Sequence, residues 1–230
     1  MTPSALKGKE LETLLLDAAK RLETAGILTM SRYGVHGMVV AGKNGGASQT
    51  LLIPSLPDFE GCLANGRQFI IEAKVCSGPS FPMQKSSLKP RQVAHMLTRS
   101  RFGVPCYLVI HFNERILKNA SYPGITVALP VNDSSPIWQN YLDTHDEARR
   151  TGNPPRSQAA LGRDAAQDMG ALIPWRVAKG CRKALPDIAH LLLTLPGVCQ
   201  TGNAAASTDS PTRWIAPVEA AQPEPTLFDL

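Results

Sequence analysis

The sequence lacks an apolar run of the roughly 18–20 residues that a membrane span needs. Its opening (MTPSALKGKELETLLL) mixes acids and bases into the apolar stretch and has no cleavage pattern, so we expect no secretory signal there. No internal repeat is apparent. These absences argue against membrane and secreted proteins and predict a cytoplasmic one.

Cysteine is scarce and poorly placed for covalent or metal scaffolds. The five cysteines, Cys62, Cys76, Cys106, Cys181 and Cys199, are odd in number and widely spaced, with no CxxC pair. This pattern argues against a disulfide framework and against a zinc knuckle. We expect reduced, buried thiols.

Charge is modest overall but unevenly distributed. The 230 residues carry a net charge of +5, with 43% hydrophobic and 19% charged residues, as in ordinary globular proteins. Residues 1–110 hold 13 Lys+Arg and 7 Asp+Glu, whereas residues 111–230 hold 11 and 12. A basic N-terminal half permits nucleic acid as a partner without establishing it.

Hydrophobic periodicity predicts an α/β core with strands in mixed directions. Leucines and alanines at helical spacing predict an amphipathic helix over 5–25, and apolar runs predict strands within 36–61. The further elements expected are a strand over 67–75, a helix over 88–100, a strand over 105–112 buried on both faces, and a weaker strand over 125–131.

The chain divides into three regions by the strength of these signals. Residues 1–135 form the predicted core, and residues 136–195 either continue the same domain or form a helical extension. In that part, 138–150 and 183–195 could be helices, and 151–170 looks loop-like. Residues 196–230 are rich in Ala, Pro, Ser and Thr and predict a flexible tail.

The most informative pattern is Pro57-Asp58, thirteen further residues, and then Glu72-Ala73-Lys74. Residues two apart in a strand share a face, so Glu72 and Lys74 project together. The turn signal at 64–66 allows a hairpin that brings Asp58 beside Glu72. Two carboxylates, with the Ala73 carbonyl as a further ligand, suit Mg²⁺, or Mn²⁺ as a substitute.

A metal held there could activate a water for attack on a phosphodiester, with Lys74 orienting that water. Glu12 on the first helix is a possible extra carboxylate. Gln92 and His95 share one helix face beyond the site, and either could contact a phosphate or the attacking water. The alternatives are a solvated strand end with an ordinary ion pair, and a partly buried histidine satisfied by its neighbours.

Basic residues surround this pattern. Lys85, Lys89 and Arg91 follow it in sequence, and Arg32 precedes it. Such groups could neutralise DNA phosphates without reading sequence. The alternative is a merely solvated basic surface.

At these residues the sequence resembles a known family. Asp58…Glu72-Ala73-Lys74 looks like the PD-(D/E)XK nuclease motif. Its continuation through Phe81-Pro82, Gln92-Val93-x-His95-Met96 and the apolar run 107–112 is similar to RecU-type Holliday junction resolvases, as is the N-terminal Gly8-x-x-Leu11-Glu12. The resemblance covers about residues 8–131.

The resemblance implies a restriction-endonuclease-like core and a homodimeric, Mg²⁺-dependent endonuclease that nicks a four-way DNA junction symmetrically. Asp58, Glu72 and the Ala73 carbonyl would hold the metal, with Glu12 as an accessory acid. Lys74 would assist the water, and Gln92 would contact the site. The rival hypotheses are a nuclease of this fold with other DNA substrates, and a non-catalytic DNA-binding recombination protein.

Three departures from the family leave the metal residues intact but bear on substrate preference. Pro57 stands where threonine is usual, and the loop between Phe81 and Gln92 is about two residues longer. The stretch 89–91 replaces a histidine-bearing one. Residues 33–57 fall where the family has a stalk thought to engage the junction centre. For such a divergent member we expect a location in a bacterial cell, with a phage as the possible source of the gene.

Near its end the C-terminal tail carries Leu227-Phe228 within a Pro-rich polar run. Because nothing local can pack on this pair, it either anchors in a partner or folds back on its own domain. It resembles the peptides by which bacterial replication and repair proteins dock on the sliding clamp, with glutamate where glutamine is usual.

Overall fold

A computed structural model describes residues 6–33, 37–40, 49–52, 56–118, 120–152, 160–177 and 183–194. Within them the helices are α1 (Gly8–Thr24), α2 (Pro90–Arg101), α3 (Pro136–Thr151), α4 (Arg163–Met169) and α5 (Ile188–Thr194). The strands of the first half are β1 (Leu28–Arg32), β2 (Gly37–Val40), β3 (Gln49–Leu52), β4 (Phe59–Leu63), β5 (Gln68–Cys76), β6 (Ser80–Pro82) and β7 (Cys106–Phe112). Those that follow are β8 (Arg115–Leu117), β9 (Ala120–Tyr122), β10 (Ile125–Pro130), β11 (Ala160–Gly162), β12 (Ala171–Leu172), β13 (Trp175–Val177) and β14 (Ala184–Pro186).

A six-stranded sheet in the order β1-β4-β5-β7-β10-β12 forms the centre of the fold. The β5–β7 pair is parallel, and the other pairs are antiparallel. Helix α2 connects the two parallel strands, as such a crossover requires. The predicted fold class, a mixed α/β core flanked by helices, is confirmed.

Helices cover both faces of this sheet and create two apolar clusters. One cluster joins α1 and α5 to one face, and α1 contributes its buried stripe of Leu11, Leu15, Ala18 and Leu22. The other cluster joins α2, α3 and α4 to the opposite face. All seven residues of β7 are buried, which confirms the predicted strand with two covered faces.

The second half of the chain holds more structure than its sequence indicated. The expected loop over 151–170 is wrong for its second part, because β11 pairs with β6 and α4 follows it directly. The expected helix over 183–195 is shorter, since β14 precedes it and pairs with β13. Strand β12 extends the central sheet beside β10. The signals were weak because these elements have only two to seven residues.

The remaining features are a second strand pair, three cysteines and the length of the helices. In the region compared with the stalk, β2 and β3 pair in antiparallel register. Residues 43–46, whose Lys-Asn-Gly-Gly sequence predicts a turn, lie outside the described residues. Cys62, Cys76 and Cys106 are free thiols. Across the described ranges, no helix is both long and apolar enough to span a membrane.

Candidate active site

The β4–β5 hairpin places Asp58 beside Glu72. Gly66 takes a positive φ of 83° in the connecting turn, which glycine adopts at little cost. Phe59 pairs with Ile71 in the antiparallel register, so the next residues outward, Asp58 and Glu72, also face each other. The predicted approach of the two carboxylates through a hairpin is therefore confirmed.

Each carboxylate accepts a backbone hydrogen bond from the other strand. The N–H of Asp58 donates to Oε2 of Glu72 at 3.0 Å. The N–H of Ala73 donates to Oδ2 of Asp58 at 2.9 Å. These two bonds fix both side chains relative to the backbone at the point where β4 begins.

Lys74 lies on the same face of β5 as Glu72, as the strand periodicity predicts. Its Nζ forms an ion pair with Oε1 of Glu72. The Glu72 side chain is fully buried, whereas that of Lys74 keeps 23% of its surface exposed. The lysine therefore spans from the buried carboxylate towards solvent, the direction from which a substrate would approach.

Gln92 reaches Glu72 from the first turn of α2. Its Nε2 donates to Oε2 of Glu72 at 2.8 Å and lies 3.4 Å from the carbonyl oxygen of Leu56. Its Oε1 accepts from the backbone N–H of Lys89 at 3.1 Å, an interaction typical of a helix N-terminus. Both ends of the amide are thus bound, and the helix start holds Glu72 in one orientation.

The electrostatics of Glu72 follow from its burial. Burial and the neighbouring Asp58 carboxylate raise the pKa of Glu72 to about 7, although the Lys74 ammonium and hydrogen bonds from Lys74 and Asp58 lower it. Two carboxylates in one partly enclosed site repel each other. A divalent cation between them would relieve this repulsion and favour the ionised pair.

The donor set fits a hard divalent cation. Carboxylate oxygens of Asp58 and Glu72 and the Ala73 carbonyl are the ligand types that Mg²⁺ and Mn²⁺ prefer. Oε1 of Glu72 is buried, and the Lys74 ammonium is its charged neighbour. In the described ranges no three His, Cys, Asp or Glu side chains cluster closely enough to hold a metal. A cation here would rely on two carboxylates completed by backbone and water oxygens.

Glu12 does not join the two carboxylates. Its Oε2 lies 2.6 Å from Nη1 of Arg32. Arg32 in turn lies over the ring of Phe59, with 5.8 Å from its Cζ to the ring centroid. Phe59 is the residue after Asp58, so Glu12 is linked to the site only through Arg32 and this ring. The role of Glu12 as a metal ligand stays a prediction. The same ion pair engages Arg32, a predicted DNA contact.

The remaining predicted DNA contacts are on the surface. Lys85, Lys89 and Arg91 are all exposed, in the loop before α2 and in its first turn. A cavity of about 450 Å³ opens beside them and includes Lys74 and Ser87 in its lining. The cation of Lys74 and the hydroxyl of Ser87 therefore share one cavity.

Some contacts of the site could not be foreseen from sequence spacing. His95 meets Tyr33, with 3.2 Å between Nε2 and the phenol oxygen, so the histidine is partly buried and satisfied by a neighbour. Asn113 bonds both the backbone of Leu6 and Oγ of Ser77, which ties the loop after β5 to the N-terminal segment. Both contacts join segments far apart in sequence. Leu227 and Phe228 lie outside the described residues.

Fold and site together define a mixed α/β protein in which an aspartate, a lysine and a helix glutamine all contact one buried glutamate of the central sheet. No protein-family model matches the chain, and no curated protein does. Among solved structures it is similar to that of Hjc, a Holliday junction resolvase from the archaeal hyperthermophile Archaeoglobus fulgidus. The TM-score is 0.33 at 16% identity, over 67% of this chain and 88% of that chain. A likeness at that score is too weak to bear on function.

Proposed function

We propose that this protein is a Mg²⁺-dependent endonuclease that resolves Holliday junctions by paired nicks. The observation that carries the proposal is the contact of Asp58, Lys74 and Gln92 with Glu72, at the middle of β5. Metal-assisted hydrolysis of a phosphodiester uses a bound cation and a positioned water, and a positive group near the phosphate stabilises the developing charge. These residues supply the ligands and the positive group.

Each residue has a distinct task in this proposal. Asp58, Glu72 and the carbonyl of Ala73 hold the cation. When bound, the cation supplies Lewis-acid polarisation of the phosphate and lowers the pKa of its bound water. Gln92 keeps Glu72 oriented, and the partly exposed Lys74 orients the attacking water and offsets charge on the phosphate.

The substrate assignment rests on the surroundings of the site. Exposed Lys85, Lys89 and Arg91 offer charge to the DNA backbone without reading bases, which suits an enzyme that selects shape rather than sequence. A four-way junction presents two equivalent strands. A homodimer with one site in each protomer would nick both.

The test is nicking of linear, forked and four-way synthetic DNA with and without Mg²⁺. We expect the wild type to nick the four-way substrate, and Asp58→Ala and Lys74→Ala to lose about 100-fold or more of this activity, as when one transition-state donor is removed. Asp133→Ala and Arg101→Ala provide matched controls, because they disrupt an exposed ion pair of 2.7 Å outside the site. If both site variants nick as fast as the wild type, the assigned chemistry is wrong. Equal nicking of all substrates would favour a nuclease of broader DNA range.

One observation favours a non-catalytic DNA-binding protein as the second candidate. Both oxygens of Glu72 already have protein partners, so the site is internally compensated without a cation. Tight binding of the junction with no cleavage across Mg²⁺, Mn²⁺ and pH would support this alternative.

The proposed partners extend to a second copy and to a sliding clamp, in a bacterial cell or its phage. The peptide around Leu227-Phe228 would dock on the clamp. Light scattering of the protein as it elutes from a size-exclusion column measures its molar mass and so tests the dimer. Calorimetric titration with purified clamp measures the affinity of docking. Leu227→Ala with Phe228→Ala should abolish docking and leave nicking unchanged.

A further inference from the structure

A second polar cavity lies on the same face of the sheet as the carboxylate pair. Helix α2 covers this face over β5 and β7 but leaves β1 and β4 open, where Thr29, Ser31 and Glu60 are exposed. The cavity between these strands and α2 has a volume of about 270 Å³. Arg99 and Gln68 complete its polar lining. Glu60 follows Asp58 by two residues, about 7 Å along a strand, so the cavity adjoins the proposed site of cleavage.

Arg99 is held so that donors remain for a ligand. Its Nη2 donates to Oε1 of Gln68 at 2.6 Å. Its Nε is buried and has no hydrogen-bond partner among the described residues. A buried donor without a partner is costly, and an acceptor on a bound ligand would remove this cost by accepting a hydrogen bond from it.

Glu60 provides the opposite chemistry in the same cavity. Burial and the Glu60 carboxylate raise the pKa of Tyr33, and Arg99 opposes this effect. Burial and Arg99 lower the pKa of His95, and Glu60 opposes this one. The acid and the base therefore both lie close to the Tyr33–His95 pair.

A lining that has both a carboxylate and a guanidinium is unsuited to a phosphate, because Glu60 would repel it. It suits a nucleobase, whose edge presents hydrogen-bond donors and acceptors side by side. At roughly 30 Å³ per water, the volume corresponds to about nine waters, enough for a flat heterocycle. A base that is already unpaired is among the least costly to unstack.

We infer that this cavity receives an unpaired nucleobase of branched DNA, with Arg99 donating to its acceptors and Glu60 accepting from its N–H groups. The inference rests on the proposed function, since it supplies that function with a means of recognising a branch. It assigns Glu60, Arg99 and Gln68 to substrate selection and leaves the chemistry to the residues around Glu72.

The test measures affinity for a four-way junction in Ca²⁺, a cation chosen to allow binding without nicking, with the full-length protein. Arg99→Gln and Glu60→Gln should each weaken binding about 10-fold, within the range for one base contact. Arg101→Gln and Glu147→Gln make the same charge changes on α2 and α3 outside the cavity and should have much smaller effects. Arg101 pairs with Asp133, and Glu147 is exposed. Removing the branch-point bases as abasic sites should weaken the wild type more than it weakens either cavity variant, because each variant has already lost one contact to the base.

The sign of the Glu60→Gln effect separates the possible ligands. A base contact predicts weaker binding, whereas a phosphate contact predicts tighter binding because a negative charge is removed, and this result would overturn the inference. Unchanged binding by both cavity variants, with unfolding temperatures like the wild type, would also overturn it. Failure of the wild type to bind any branched DNA would instead contradict the proposed function.

Discussion

Asp58 and Glu72 are joined across β4 and β5 by two hydrogen bonds that cross: the Asp58 N–H donates to the Glu72 carboxylate, and the Asp58 carboxylate accepts from Ala73, the residue after Glu72. The register of the hairpin therefore sets the distance between the carboxylates. A change in either strand that shifts this register would dismantle the site even if all its residues were kept.

Gln92→Leu should reduce the affinity for Mg²⁺ more than the rate of nicking at saturating Mg²⁺. Gln92 is buried and donates to Oε2 of Glu72, so it acts on the cation through that carboxylate. Loss of a group that orients a metal ligand costs about 10–100-fold in affinity. Calorimetric Mg²⁺ titration checks this value, with Gln139→Leu on the exposed face of α3 as control. An unchanged affinity would show that Gln92 does not position Glu72 for the metal.

The metal-free protein should lose stability through Glu72 as pH rises. The pKa of Glu72 is raised to about 7 in the folded state by burial and by Asp58. Between about pH 4.5 and 7 the folded state keeps a proton on Glu72 that the unfolded chain has already released. The free energy of unfolding therefore falls by up to about 3 kcal/mol as pH rises through that window. It is present below this window and lost above it. Urea unfolding at several pH values measures this dependence of the unfolding free energy on pH, and the His111→Asn background removes the contribution of the buried histidine. Saturating Mg²⁺ should make the dependence weaker.

His111 should act in the opposite direction. It is buried on β7, with Nδ1 2.8 Å from Oγ1 of Thr126 and a buried Nε2 that has no partner among the described residues. Burial and Arg163 lower the pKa of His111 to about 4. As pH falls from about 6.5 to 4, the unfolded chain gains a proton first, so up to about 3 kcal/mol is lost. Urea unfolding of Glu72→Gln should show this loss, and the double variant Glu72→Gln with His111→Asn should not.

Gly61→Ala should unfold the hairpin that carries Asp58. A Cβ at this position would lie 2.2 Å from Cζ of Phe69 and 2.4 Å from the backbone oxygen of Thr29. The backbone of β1 cannot retreat without breaking its pairing with β4, so we expect a loss of about 3 kcal/mol, at the upper end for overpacking. Gly8→Ala, where no heavy atom lies within 4 Å of the added Cβ, is the control. Thermal unfolding of both variants checks this, and equal melting temperatures would contradict it.

Local patterns were sufficient for the elements that are long or strongly periodic. The leucine spacing of α1 and the apolar run of β7 predicted both elements, because burial of one stripe or of two faces leaves a period in the sequence. Strand β11 and helix α4 were missed because their three and seven residues are too few to show a period, and β6, with which β11 pairs, is nearly 80 residues earlier.

By itself the sequence determined the residue types of the site and the strand that carries them: Glu72 and Lys74 are two apart, so they share a face wherever β5 lies. Only the tertiary structure decided that Glu12 pairs with Arg32 instead of joining the carboxylates, and that Glu60 and Arg99 share a cavity. The reason is physical. The periodicity of a strand is local, whereas contacts between elements depend on how helices and strands pack, which their spacing along the chain does not encode.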